Sequence, residues 1–138
     1  KKKPILGICV GMQLFAKTGY ESQETKGFGW INAEVRKINN MNKKIKIPHM
    51  GWNEVHSNTH NVLLDGIENG KDFYFVHGYH LDCDDPKDIL ARTPYCGGVV
   101  SVIGRGNIFG VQFHPEKSQK SGLRLLQNFI DMKIAAPC

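Results

Sequence analysis

The stretch Pro4-Ile5-Leu6-Gly7-Ile8-Cys9-Val10-Gly11-Met12-Gln13 decides how the rest of the chain is placed. Ile5, Leu6 and Ile8 form a short apolar run of the kind that makes a strand buried on both faces, and residues 12–17 can start a helix. Between them lies Gly7-Ile8-Cys9-Val10-Gly11, a G-x-C-x-G version of the nucleophile elbow, in which a strand turns sharply into a helix and holds its central side chain up at the end of a sheet. Glycines on both sides of Cys9 suit such a turn, because the backbones come close and a Cβ at either position would clash. A thiol placed there faces the first free N–H groups of a helix, whose partial positive charge favours thiolate. Cys9 is therefore a candidate nucleophile. A buried cysteine serving as a small hydrophobe accounts for the pattern about equally well, so the choice rests on the residues downstream.

The chain of 138 residues reads as one domain, from residue 1 to 138, with no linker, internal repeat or low-complexity tract. Its 41% hydrophobic and 22% charged residues are those of an ordinary soluble protein, and no apolar run approaches the ~18 residues that span a bilayer. The cysteines Cys9, Cys83, Cys96 and Cys138 form no C-x-x-C pair. That suits a reducing compartment, and the expected location is the cytoplasm. The net charge of +5 gathers in Lys1, Lys2 and Lys3 and in Lys43, Lys44 and Lys46. Neither cluster is interleaved with aromatics, so solvated surface is favoured over a nucleic-acid face. A strand with the character of residues 5–8 needs neighbours on both edges, and the three lysines before it supply none. The expectation is that strands N-terminal to this sequence complete the sheet.

Alternation over residues 31–38, with Ala33, Val35 and Ile38 on one side and Glu34 and Arg36 on the other, predicts a half-buried strand. A loop is expected over residues 39–44, a strand at 45–47, a further loop at 58–61 and a helical turn at 62–67. Phe73-Tyr74-Phe75-Val76-His77 is the most strand-prone run, stopping at Gly78-Tyr79-His80 and followed by an acidic loop over 82–88. Three more strands are expected at 89–93, 98–103 and 107–113. Residues 118–132 read as an amphipathic helix with Leu123, Leu126, Phe129 and Ile130 on its apolar face and Ser118 or Ser121 as cap.

The second informative segment is Gly110-Val111-Gln112-Phe113-His114-Pro115-Glu116-Lys117-Ser118. Pro115 keeps His114 in extended backbone, and Glu116, two residues on, can reach the imidazole from the same side. A nucleophile, a base and a carboxylate that orients the base are the parts of a catalytic triad. His114 and Glu116 alone could equally be a strand-end salt link.

Taken in order, the elbow, Pro48-His49-Met50-Gly51-Trp52-Asn53, Tyr74-Phe75-Val76-His77-Gly78-Tyr79 and the His114-Pro115-Glu116 segment resemble the class I, triad-type glutamine amidotransferases. Within that class the His-Met-Gly-Trp-Asn segment is similar to the glutaminase subunits of imidazole glycerol phosphate synthase. The resemblance implies an α/β fold, an open mixed sheet of flavodoxin-like type flanked by helices and lacking its N-terminal strands. It implies hydrolysis of glutamine to glutamate and ammonia through a thioester on Cys9, with His114 as base and Glu116 orienting it. By the same resemblance the N–H of Val10 is an oxyanion donor, Gln13 contacts substrate, and the backbone at Gly78 and Tyr79 binds its α-amino and carboxylate groups. No cofactor or metal is implied; His49, His56 and His60 with Glu54 do not complete a metal-ligand pattern.

The resemblance also implies a partner. Ammonia would pass to a (β/α)₈-barrel cyclase subunit in a heterodimer that forms imidazole glycerol phosphate and the carboxamide ribotide AICAR in histidine biosynthesis. Trp52, Asn53, Tyr74 and Lys117 would lie at the docking face or along the ammonia passage. His77 and His80 are assigned supporting roles beside the substrate loop. A paralogue that amidates a surface-polysaccharide sugar, and a non-catalytic partner-binding scaffold, are the alternatives. One departure stands out: the second oxyanion donor of this class comes from a glycine-rich loop on an earlier strand, and none precedes Cys9. Losing one such donor costs about two to three powers of ten in rate, so activity is expected of the intact protein. The proposition underneath is that the Cys9 sulfur and the His114 imidazole meet at hydrogen-bonding range at one sheet edge.

Overall fold

The structure is a computed structural model, and it describes residues 3–39, 45–57 and 59–132. Strand β1 (Ile5–Ile8) turns into a single-turn helix α1 (Val10–Gln13), shorter than the helix expected over 12–17. Two very short strands, β2 (Thr18–Gly19) and β3 (Thr25–Lys26), precede β4 (Ala33–Lys37). Next come β5 (His49–Glu54), β6 (Asp72–His77), β7 (Tyr79–Cys83), β8 (Ile89–Thr93), β9 (Val99–Arg105) and β10 (Ile108–Val111). Helix α2 (Gln119–Ile130) follows a 3₁₀ turn at Pro115–Lys117.

The strands form open, mixed sheets, as expected, but in three pieces: β1-β10-β9-β8, β3-β2-β4-β7 and the ribbon β5-β6. The pair that positions the site is β1 and β10, which run parallel with Ile8 opposite Val111. Two apolar clusters cover the two faces of the first sheet. In one, Phe73 and Phe75 of β6, Val111, Phe113 and Leu125 of α2 pack together; in the other, Met12, Phe15, Ala33, Val35 and Leu81 pack against Ile103 of β9.

Several local expectations are corrected. Among the described residues β1 pairs with β10 alone, leaving its other edge unpaired, and Ile5 at its start is 39% exposed, so the strand is only partly buried. Residues 45–47 form no strand; extended pairing starts at His49, after a cis Ile47–Pro48 bond. The run expected to stop at residues 78–80 does so for one residue, after which Tyr79–Cys83 form β7 opposite β4. Gly78 thus marks a strand-to-strand corner. On α2 the buried positions are Gly122 and Leu125, with Phe129 packed against the core, while Leu123 and Ile130 are 64% and 73% exposed. The predicted face is rotated from the true one because Leu125, at its edge, takes the core position. Most of the loop expected over 39–44, residue 58 and Cys138 lie outside the described residues.

Candidate active site

Cys9 leaves β1 with its N–H donating to the Val111 carbonyl at 2.8 Å, which fixes it to the end of β10. Its backbone has φ 55° and ψ −109°, a conformation of L residues that costs about 1–3 kcal/mol. The close approach behind that strain is at Gly7, where a Cβ would stand 2.7 Å from the backbone of Gly11 and Met12. Gly11 itself faces open space, so only the first of the two elbow glycines is required by contact.

The sulfur is half-buried and lies between two groups. Its S–H donates to the Val76 carbonyl at 3.7 Å, and the side-chain amide of Gln112 donates to the sulfur at 3.7 Å. Burial raises the thiol's pKa above its ordinary value; the Val10 N–H and the Gln112 amide oppose that shift, and the charge of Glu116 adds to it. Desolvation therefore outweighs the pull of the elbow's N–H groups, contrary to the expectation of a thiolate. In this resting arrangement Cys9 is a thiol.

His114 follows β10 by three residues, in extended backbone as Pro115 requires, with φ −101° and ψ 97°. Its Nδ1 meets Glu116 Oε1 at 3.1 Å. The imidazole is about one-quarter exposed, with Glu116 more open. His114 and Cys9 thus stand at the same end of the β1–β10 pair, but no direct hydrogen bond joins them. Sγ is turned to Val76 and Gln112 instead, so the expected contact between sulfur and imidazole is not made in this structure.

Gln13, one turn past the elbow, donates from Nε2 to the Tyr79 carbonyl and to Gln112 Oε1, both at 3.1 Å. The Gly78 carbonyl accepts from the Ile38 N–H at 3.0 Å. Both carbonyls of the Gly78-Tyr79 corner are therefore engaged within the chain. Val10, Gln13, Leu14, Gly19, Glu21 and Val35 line an open cavity of about 320 Å³ beside the elbow.

The segment at 48–53 has two faces, as strand alternation requires. Trp52, 48% exposed, pairs across the ribbon with Tyr74 in an edge-to-face contact at 5.7 Å, and Lys117 Nζ lies 6.0 Å over the Tyr74 ring. A core position for Trp52 is thereby excluded. His49 and Asn53 are turned differently. His49 is buried, stacked between Phe75 and Tyr95, and its Nδ1 lies 2.9 Å from His77 Nε2. The Asn53 amide reaches His49 Nε2 and the Pro94 carbonyl, so Asn53 is tied inward and not presented beside Trp52 and Lys117. Burial lowers both imidazoles from 6.5 to about 4, and both are neutral.

The residue that sequence reasoning misses is Gln112. It is fully buried and sits between Val111 and Phe113, both also fully buried. A lone amide inside a hydrophobic run is the available signal, since a buried polar side chain must find partners.

The family model described as glutamine amidotransferase class-I matches residues 1–132. The chain belongs to the class I glutamine amidotransferases. It is 50% identical over 131 residues to an imidazole glycerol phosphate synthase subunit HisH from Pelagibacter ubique, covering 95% of this chain and 63% of that protein. A protein of the same description from Ruegeria pomeroyi is 48% identical over 130 residues, covering 94% and 61%. The chain thus spans somewhat under two thirds of the length of these relatives. Among solved structures, a candidate GMP synthase component from Thermoplasma acidophilum superposes with a TM-score of 0.66 at 26% identity, over 92% of this chain and 55% of that one. A glutamine amidotransferase from Thermotoga maritima gives 0.62 at 20% identity, over 93% and 47%, which speaks for the fold. Among the described residues, no helix of this amidotransferase chain is long and apolar enough to cross a membrane.

Proposed function

We propose that this chain carries the glutamine-hydrolysing centre of an imidazole glycerol phosphate synthase, with Cys9 as nucleophile, His114 as general base and Glu116 as the group that orients it. One observation carries the reading: the strained Cys9 elbow and the His114–Glu116 pair stand at the same end of the parallel strands β1 and β10. Likeness to the HisH proteins supports the choice of pathway.

The chemistry follows from the geometry. Because Cys9 rests as a thiol, reaction begins with a turn of its side chain away from the Val76 carbonyl toward His114. The S–H bond breaks as the proton passes to the imidazole, and sulfur attacks the carboxamide carbon of glutamine. The oxyanion so formed accepts from the Val10 N–H. His114 returns the proton to the departing ammonia, leaving a glutamyl thioester. Water, deprotonated by His114, then cleaves the thioester to glutamate and free thiol. Glu116, accepting at Nδ1, keeps that nitrogen protonated and the other one available, and it stabilises the imidazolium.

Ammonia released here would pass to a (β/α)₈-barrel cyclase partner docked on the Trp52, Tyr74 and Lys117 face. The test is glutamate release by the full-length protein, with and without that partner and its nucleotide ligand. Glutamine hydrolysis that rises on partner binding and is abolished in Cys9→Ala, with ammonia-dependent synthesis retained, is the expected result. Hydrolysis unaffected by Cys9→Ala overturns the assignment.

A further inference from the structure

We propose that Gln112 is a further catalytic residue: its side-chain N–H holds the Cys9 sulfur as thiolate, and a directed chain of hydrogen bonds fixes which end of its amide faces that sulfur. The proposal rests on the reading of Cys9 as nucleophile.

The orientation of a side-chain amide is decided by the acceptors and donors around it. Here the network leaves one solution. A backbone carbonyl only accepts, so the Tyr79 oxygen fixes the Nε2 end of Gln13 against itself. The same Nε2 donates to Gln112 Oε1, which leaves Gln112 Nε2 to donate to Cys9 Sγ. The Tyr79 carbonyl is held from its other side by His77 Nδ1 at 2.8 Å, so that nitrogen carries the proton. His77 Nε2 must then accept from His49 Nδ1, and His49 Nε2 from Asn53 Nδ2. Asn53 is itself oriented, because its Oδ1 accepts the Glu54 N–H at 2.8 Å and its Nδ2 reaches Pro94 O at 3.1 Å. Every donor from Asn53 to Tyr79 points one way, which requires both imidazoles to be neutral.

Gln112 is fully buried, so no water competes for its amide, and a hydrogen bond to an ionised acceptor is stronger than one to a neutral acceptor. In the resting rotamer, ionisation of Cys9 removes the S–H that donates to Val76 O and strengthens the contact from the Gln112 N–H, so the amide holds the thiolate before and after the sulfur swings to and from His114. That difference between thiol and thiolate is what makes the amide useful to the reaction. Glu116 is the charge that opposes the thiolate; His114 stands beside Glu116, and the charge of His114 opposes protonation of His77.

The experiment follows the pH dependence of iodoacetamide alkylation at Cys9 in the full-length protein, read by mass spectrometry of the Cys9 peptide so that other cysteines do not interfere. Gln112→Met keeps the side chain's size and removes the donor, and Gln112→Glu removes it wherever the carboxyl is ionised. Both are expected to raise the midpoint, by about one pH unit for the glutamate, and to lower kcat about tenfold while KM for glutamine changes little. An unmoved midpoint in a folded variant overturns the proposal. Should neither variant fold, the Gln112 side-chain amide resonances of the wild-type protein decide: they must titrate together with the alkylation rate, and independence overturns the proposal. Alkylation needs no glutamine turnover, so a wild-type protein that hydrolyses no glutamine would defeat the functional reading while the titration is judged separately.

Discussion

Tyr74 holds His114 by the backbone on both sides of one residue. The His114 N–H donates to the Tyr74 carbonyl at 2.9 Å; the Tyr74 N–H donates to Ser118 Oγ at 2.9 Å, and that hydroxyl donates onward to the His114 carbonyl at 2.6 Å. Ser118, read from sequence as a helix cap, instead closes this clasp, and it makes no side-chain cap to α2. The Tyr74 backbone, whose ring lies on the proposed docking face, and the proposed base are thus parts of one hydrogen-bonded unit.

Opening the clasp should misplace the base more than it unfolds the chain. Ser118→Ala leaves the Tyr74 N–H and the His114 carbonyl without their shared partner, which costs about 1–3 kcal/mol. We expect a matching loss in denaturant stability and a fall in kcat of about tenfold or more, with KM for glutamine nearly constant. A variant with normal kcat would show that the clasp does not serve the base.

The two elbow glycines should separate sharply. Gly7→Ala drives a methyl into the backbone of Gly11 and Met12, where nothing flexible can yield, and a loss of about 3 kcal/mol or more is expected. Gly11→Ala meets open space in a helical turn and should be neutral to slightly stabilising. Thermal melts of the two variants, side by side, check this directly.

Acid should weaken the fold through His49 and His77. Their folded pKa values, lowered from 6.5 to about 4 chiefly by burial, mean that the unfolded chain binds the extra protons first. Stability is therefore full above pH 6.5 and falls as pH drops toward 4, by a few kcal/mol for the coupled pair. Burial lowers the pKa of His80 as well and adds in the same direction. Urea denaturation at pH 7 and pH 5 measures the slope, and His49→Phe should make it shallower.

Trp52→Ala should leave the melting temperature nearly unchanged, because the ring is half exposed, and should weaken partner binding by about 2 kcal/mol, roughly thirtyfold. Titration calorimetry against the cyclase distinguishes this from an ordinary surface aromatic, whose removal would alter neither quantity.

The elbow, the ends of β1 and β10 and the His114-Pro115-Glu116 turn are legible in the sequence because glycine and proline restrict the backbone locally. What escapes it depends on contacts between distant segments. Strand β7 is hidden because Gly78 looks like a stop, whereas the pairing of residues 79–83 with β4 is set by partners more than 40 positions earlier. The apolar face of α2 is misread because Leu123 and Leu125 are equally hydrophobic, and only packing against β6 and β10 chooses between them. The state of Cys9 is misjudged because the N–H groups of the turn are visible in the motif and the desolvation of the sulfur, a property of the assembled site, is not. His49 and His77, 28 positions apart, give no sign of their hydrogen bond until β5 and β6 are paired.

The contact at Gly7 has a bearing on how the site moves. Backbone pressed on backbone has no rotamer to change, so the elbow is the stiff half of the centre. The imidazole, by contrast, hangs from hydrogen bonds that can lengthen. Whatever motion brings sulfur and imidazole together must come from rotation of the thiol and from drift of the turn after β10, and a partner pressing on Tyr74 would push on the yielding half.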